Sequence, residues 1–248
     1  MSEKNKQRFG LLGRDIDYSF SRAYFTEKFK REKLLHCSYG NFDLPNLDNF
    51  KEILKTPHLR GINVTIPYKQ EVMPFLDDLD EVSKAIGAVN TIVFQSDGTT
   101  KGFNTDYIGF SKSIAPLLHD DIKNALILGT GGASKAIVYA LHQMGIETQY
   151  VSRKSTATTL GYQELTAAII DTHKLIVNCT PLGTFPKVDE KPALDYSLLT
   201  PKHVLFDLIY NPAETAFMKA GAIYGASVSN GQRMLVGQAE ASWELWNH

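Results

Sequence analysis

Asn124-Ala125-Leu126-Ile127-Leu128-Gly129-Thr130-Gly131-Gly132-Ala133-Ser134 is an apolar run that ends in glycines and opens a helical pattern. Ala125 to Leu128 is short and wholly apolar, as a parallel strand buried on both faces requires. Ile137, Ala140, Leu141 and Met144 then recur at helical spacing, and Gly145 stops the helix. A glycine loop alone is weak evidence. A strand before it and a helix after it give it the context of a dinucleotide-binding βαβ unit. Gly129 permits the tight turn, and Gly131 lets the backbone approach a pyrophosphate. With Thr130, Gly132 and Ala133 they form a phosphate cradle at a helix N-terminus. The third glycine position is Ser134, a departure that is still small enough for close helix–strand packing. The competing reading is a glycine turn that holds no ligand.

Downstream, strand patterns recur at Thr148 to Val151, Leu175 to Asn178, Val204 to Leu208 and Ser227 to Ser229, and Met234 to Trp246 reads as an amphipathic helix. Such alternation predicts a doubly wound α/β sheet. The second strand separates the two nicotinamide cofactors. A site for NAD places Asp or Glu about 20 residues beyond the glycines, on the ribose hydroxyl. Here the stretch is Tyr150-Val151-Ser152-Arg153-Lys154-Ser155, with two cations and no carboxylate. A guanidinium suits a 2′-phosphate by charge and by forked hydrogen bonds, so NADP is the expected cofactor. A solvated basic turn is the alternative.

Upstream, strands are expected at Phe9 to Gly13, Leu34 to Phe42, Gly61 to Ile66, and on either side of the Asp97-Gly98 turn, at Asn90 to Gln95 and Thr99 to Phe103. Helices are expected at Ser21 to Lys33, Leu47 to Leu54 and Thr105 to Leu118. The fold class is therefore α/β. An N-terminal α/β substrate domain would span 1–105 and a Rossmann-type domain 106–232, with helix 233–248 returning to the first.

Composition removes several function classes. The chain has 248 residues, 43% hydrophobic and 21% charged, with a net charge of −1. That balance offers no field for gathering nucleic acid or an acidic membrane. No apolar run approaches a membrane span. The seven His and two Cys residues form no metal-ligand pattern, so no metal is expected. Cys37 and Cys179 read as reduced thiols of a cytoplasmic protein.

Two segments carry chemistry. Asn63-Val64-Thr65-Ile66-Pro67-Tyr68-Lys69 and Gly102-Phe103-Asn104-Thr105-Asp106 each set one ionisable group among small polar hydrogen-bonders. Oxidising an alcohol by hydride transfer needs a proton acceptor, and the reverse needs a donor. A Lys whose pKa a carboxylate modifies can be either. Asn side chains offer donor and acceptor together, which suits vicinal hydroxyls. With the glycine loop, these segments suggest a dehydrogenase for a small polyhydroxylated substrate. On spacing alone, a surface ion pair between Lys69 and Asp106 competes with catalysis.

At this point the chain resembles the shikimate dehydrogenase family, over nearly its whole length. The first segment is similar to the family's N-V-T-x-P-x-K, Gly87-Ala88-Val89-Asn90-Thr91 to its G-A-x-N-T, and the second segment to its G-x-N-T-D. Asn178-Cys179-Thr180-Pro181-Leu182-Gly183 resembles N-A-T-P-x-G. Asp207, Tyr210, Pro212 and Thr215 fit D-x-x-Y-x-P-x-x-T, and Asn230-Gly231, Met234-Leu235 and Gln238-Ala239 fit the closing motif. The resemblance implies that Lys69 and Asp106 are the catalytic pair. It implies that Thr65, Asn90, Asn104 and Gln238 bind ring hydroxyls and that Ser19 and Ser21 hold a carboxylate. It places Tyr210 near that carboxylate, with Thr180 and Gly231 on the cofactor. The implied activity is NADP-linked reversible reduction of 3-dehydroshikimate to shikimate, in aromatic amino acid synthesis, by a cytoplasmic monomer or homodimer. Two alternatives stand: a quinate/shikimate dehydrogenase using NAD, and a non-catalytic NADP-binding module, which should lack the Lys/Asp pair. One region departs from the family. Its H-S-x-S-P reads here Tyr18-Ser19-Phe20-Ser21-Arg22, and Phe25-Thr26 stands where His-Asn is usual. Arg22 either adds a charged contact there or points to solvent.

Overall fold

The computed structural model describes residues 6–17 and 19–247, so Tyr18 of the altered serine motif lies outside the described residues. The chain forms two units, Met1–Thr105 with Ala239–His248, and Asp106–Gln238.

The first unit is built on a mixed sheet. Its strands are β1 (Gln7–Gly13), β2 (Cys37–Asp43), β3 (Leu59–Val64), β4 (Asp78–Leu79), β5 (Thr91–Phe94) and β6 (Thr100–Phe103), in the order β2-β1-β3-β5-β6-β4. β1 lies parallel to β2 and β3, whereas β5 runs antiparallel to β3 and β6. Asp97-Gly98 closes the β5–β6 hairpin, with Gly98 at φ +88 and the Asp97 carboxylate accepting from the Thr99 N–H. Helix α1 (Phe20–Arg31) is capped by Ser19, whose Oγ accepts from the Ser21 N–H at 3.2 Å. The strand expected from Leu34 begins at Cys37 instead. Lys33 holds φ +58 and the Leu34 N–H reaches back to the Phe29 carbonyl, a left-handed helix end that uses up the residues before the strand. Helix α2 is the short Phe50–Leu54. Helix α3 (Glu81–Ile86) had no counterpart in the sequence reading; it is one and a half turns long, too short for periodicity to show. Its caps were visible, Asp80 accepting from the Ser83 N–H and Gly87 left-handed at φ 68.

Residues from Ala239 onward complete this unit's core. Trp243 and Trp246 pack on Phe9, with ring centroids 5.4 and 4.9 Å away, and Phe25 stacks on Tyr39 at 4.6 Å. The Trp246 Nε1 donates to the Ile92 carbonyl at 3.0 Å. Gly61 leaves the room for that indole; a Cβ there would stand 2.0 Å from Nε1. Lys28, buried, lies 2.8 Å from both Glu32 and Glu240, and the Tyr24 hydroxyl hydrogen-bonds the other Glu240 oxygen.

The second unit begins with α4 (Asp106–Ile114) and holds a wholly parallel sheet. Its strands are β7 (Asn124–Leu128), β8 (Glu147–Ser152), β9 (Thr159–Gly161), β10 (Leu175–Asn178), β11 (Val204–Asp207) and β12 (Ser227–Ser229), in the order β12-β11-β10-β7-β8-β9. This is doubly wound topology, with the strand order reversing between β7 and β10, where such folds hold ligands. Ala125 to Leu128 are fully buried. Helices α5 (Gly132–Gln143), α6 (Ala167–Thr172), α7 (Ala216–Ala222) and α8 (Gln232–Trp246) complete the set, and α8 crosses from this unit into the first. Neither β9, α6 nor α7 was anticipated. Each is short, and α7 carries Gly221, a weak helix former kept because a Cβ there would lie 2.4 Å from Leu205.

Candidate active site

In the first unit, the sheet gathers the motif segments at adjacent strand ends. Asn63 lies opposite Thr91, and Thr91 opposite Phe103. Thr65 follows β3, and its N–H donates to the Leu12 carbonyl at 2.8 Å. Tyr68 is buried, its hydroxyl donating to the Leu44 carbonyl at 2.6 Å, which anchors the turn that presents the partly exposed Lys69. The Val89 N–H donates to the Lys69 carbonyl at 2.7 Å and ties that turn to the Gly87–Thr91 segment. Asn90 and Asn104 are both buried; Asn104 donates to the Ala88 carbonyl at 2.9 Å. Gly102 is required by packing, since a Cβ would come within 2.8 Å of Leu76, Leu79 and Val89.

Asp106 is the first residue of α4 and is 5% exposed, which removes the solvent-exposed form of an ion pair as an account of this carboxylate. Ser19 spends a lone pair on capping α1, so its proton remains for another acceptor. Ser21 is buried beside the Tyr39 phenol, whose pKa burial pushes well up. Arg22 and Thr26, two of the departures from the family pattern, line a cavity of about 480 Å³ with Asp17, Ser19 and Tyr39.

Beneath Asn90 lies a buried polar cluster that the sequence reading missed. Tyr39, Asn63, Thr91, Thr105 and Ser242 exchange hydrogen bonds between 2.7 and 3.3 Å. Three of these residues stood inside the quoted motifs. The other two are Tyr39, within the expected second strand, and Ser242, a lone hydroxyl between Ala241 and Trp243.

In the second unit, the glycine loop has the geometry its sequence demands. Gly129 takes φ +99, and a Cβ there would stand 3.1 Å from the Thr180 methyl and 3.3 Å from the Cys179 backbone. Gly131 is the N-cap of α5 and offers no side chain to the first-turn amides. Nothing lies within 4 Å of the point a Gly131 Cβ would occupy. That open approach to backbone amides at a helix N-terminus fits a pyrophosphate. Ser134, at the departed glycine position, is fully buried and donates to the Gly131 carbonyl at 2.7 Å, which holds the loop closed.

Arg153 and Lys154 are exposed just after β8. The Ser152 hydroxyl is engaged locally, donating to the Lys154 carbonyl at 2.6 Å, so it shapes the turn that carries the two cations. Thr180 donates from Oγ1 to Asn178 Oδ1 at 2.7 Å, and Asn178 donates to Asp207 at 3.0 Å. Asp207 also accepts from Thr215 at 2.6 Å and from the Ile209 N–H. Burial raises its carboxyl to about 6, although these donors pull the other way. Burial likewise pushes the Cys179 thiol well up, and Asp207 adds to it, which disfavours its thiolate. Gly231 has a packing reason of its own, for a Cβ would lie 2.1 Å from the Leu208 carbonyl oxygen. Tyr210 is half-buried after β11; Gln238 is buried on α8 and donates to the Leu235 carbonyl at 3.0 Å. Among the described residues no His, Cys, Asp and Glu group could hold a metal ion, and no helix is long and apolar enough to cross a membrane.

These features define an α/β protein in which a mixed-sheet unit, with a buried polar cluster at its strand ends, accompanies a doubly wound unit of dinucleotide-binding type. Residues 11–92 match the family model of the shikimate dehydrogenase substrate-binding domain. The NADP(+) shikimate dehydrogenase of Clostridium beijerinckii is 37% identical over 96% of this chain and 91% of its own. Among solved structures, the shikimate dehydrogenase of Aquifex aeolicus aligns with a TM-score of 0.87 at 32% identity, over 100% of this chain and 94% of its own. That of Thermus thermophilus, in complex with NADP(H) and shikimate, aligns at 0.85 and 29% identity, over 97% and 93%. The chain belongs to the shikimate dehydrogenase family.

Proposed function

We propose that this chain catalyses the NADP-dependent, reversible reduction of 3-dehydroshikimate to shikimate in aromatic amino acid biosynthesis. The observation that carries the reading is the pairing of an open, uncapped glycine loop before α5 with the Lys69 and Asp106 motifs, in a chain 37% identical to an NADP(+) shikimate dehydrogenase. Residues 1–105, with helix 233–248, are assigned to substrate, and residues 106–232 to cofactor. When bound, NADPH supplies the hydride. The loop from Gly129 to Ala133 would hold its pyrophosphate, with Thr180 and Gly231 beside the loop's ligand, and Arg153 and Lys154, set by Ser152, would hold the 2′-phosphate.

On the substrate side, Lys69 gives its proton to the ketone oxygen as the alcohol forms and takes it back in reverse, and Asp106 supplies the carboxylate of the pair. An ammonium there also stabilises negative charge developing on that oxygen. Thr65, Asn90, Asn104 and Gln238 bind ring hydroxyls, and Ser19 and Ser21 with Tyr210 serve the carboxylate. The reading extends to a cytoplasmic enzyme, monomer or homodimer, with both cysteines free.

Steady-state assays with shikimate and quinate, each with NADP+ and NAD+, test it. Fastest turnover of shikimate with NADP+ is expected. A preference for quinate and NAD+ would favour the quinate/shikimate alternative, and no turnover of either acid would leave the non-catalytic module.

A further inference from the structure

Ser242 belongs to none of the motifs, yet its hydroxyl sits mid-way along a buried hydrogen-bonded chain. It is fully buried, as are Thr91 and Thr105. The orientation of the Asn90 carboxamide at one end of this chain is fixed. The Thr105 backbone N–H, which can only donate, reaches Asn90 Oδ1 at 2.6 Å and settles which end of that carboxamide is oxygen. Thr91 Oγ1 then donates to the same Oδ1 at 3.1 Å. A hydroxyl has one proton, so while Thr91 donates to Asn90 the 2.7 Å contact between Thr91 and Ser242 is donated by Ser242. Ser242 accepts in turn from Asn63 Nδ2 at 2.9 Å, and Asn63 Oδ1 accepts from the Tyr39 hydroxyl at 2.8 Å. In that arrangement each bond polarises the next in the same sense.

Removing the Ser242 hydroxyl breaks the chain at its middle. Asn63 Nδ2 is left with longer contacts, 3.3 Å to Thr91 Oγ1 and 3.4 Å to the Asn90 carbonyl. If Thr91 turns to accept elsewhere, its donation to Asn90 is lost. We propose that Ser242 is a positioning residue for substrate recognition, orienting the Asn90 carboxamide through Thr91 toward a hydroxyl-bearing ring. The proposal rests on the reading of the chain as a shikimate dehydrogenase with Asn90 on the substrate.

The test is a double-mutant cycle on Ser242→Ala and Asn90→Ala, read as KM, kcat and kcat/KM for shikimate, with NADPH affinity measured beside it. Ser242→Ala should raise KM about tenfold, with kcat and NADPH affinity changed less than about threefold. In the Asn90→Ala background the same substitution should change kcat/KM by less than about twofold, because its target is gone. An unchanged KM, or an equal loss in both backgrounds, would overturn the proposal and leave Ser242 a packing residue. Should Ser242→Ala fail to fold by circular dichroism, Thr91→Val goes through the same cycle, with the same supporting and overturning results. Absence of turnover by the wild type would overturn the functional reading and this proposal with it; turnover by the wild type with an uncoupled cycle overturns this proposal alone.

Discussion

Replacing Lys69 by Ala removes the group assigned to proton transfer. The turn that presents it is held by Tyr68 and Val89 through their own bonds, so the fold should survive. kcat should fall by about 10²–10⁴, the usual scale for a positioned acid or base, while KM changes much less. A variant within about threefold of wild-type kcat would remove Lys69 from the chemistry. Arg153→Ala addresses cofactor choice. A charged hydrogen bond is worth about 1.5–3 kcal/mol, so NADPH should bind about 10–100-fold more weakly while NADH is almost unaffected. Equal losses for both would assign Arg153 to the shared pyrophosphate. At this scale the sequence displayed the residues whose chemistry is unusual for their surroundings: a lysine among hydroxyls, two cations where a carboxylate is customary. It hid residues that act through neighbours. Ser242 and Tyr39 lie far from Asn63 in the chain, and only the paired strands and the last helix bring their hydroxyls together.

Among elements, legibility followed length and burial. β7 and α5 were plain because a wholly buried strand is continuously apolar and a twelve-residue helix shows its period. α3, α6, α7 and β9 have three to seven residues, too few to display one. The loops after β10 and β11 are joined by the buried Asp207, which likewise has no local signature. Its carboxyl is raised from 3.8 to about 6 by burial, so the folded protein holds that proton more tightly than the unfolded chain. Its contribution therefore favours folding most at acid pH and declines as pH rises from about 4 through about 6. Asp207→Asn abolishes this titration. The stability of the variant relative to wild type should accordingly improve from about pH 5 to about pH 8, by on the order of 1–2 kcal/mol. Urea unfolding of both proteins at the two pH values measures it. A difference that stays constant, or moves the other way, would mean that the carboxylate is not raised.

For the whole molecule, the last residues matter out of proportion to their number. Trp246 fills the space above Gly61, stacks near Phe9 and donates to Ile92, so Trp246→Ala should cost about 3–5 kcal/mol in urea unfolding. A loss below about 1 kcal/mol would show that the first unit's core closes without it. A net charge of −1 leaves anion binding to local groups such as the glycine loop and Arg153. The most direct measurement of what the molecule does is the absorbance of NADPH after mixing the protein with 3-dehydroshikimate, with the product acid quantified in the same sample. Loss of NADPH matched one to one by shikimate is the predicted result. NADPH that binds but is not consumed, with no shikimate formed, would contradict the assignment of this chain as a shikimate dehydrogenase.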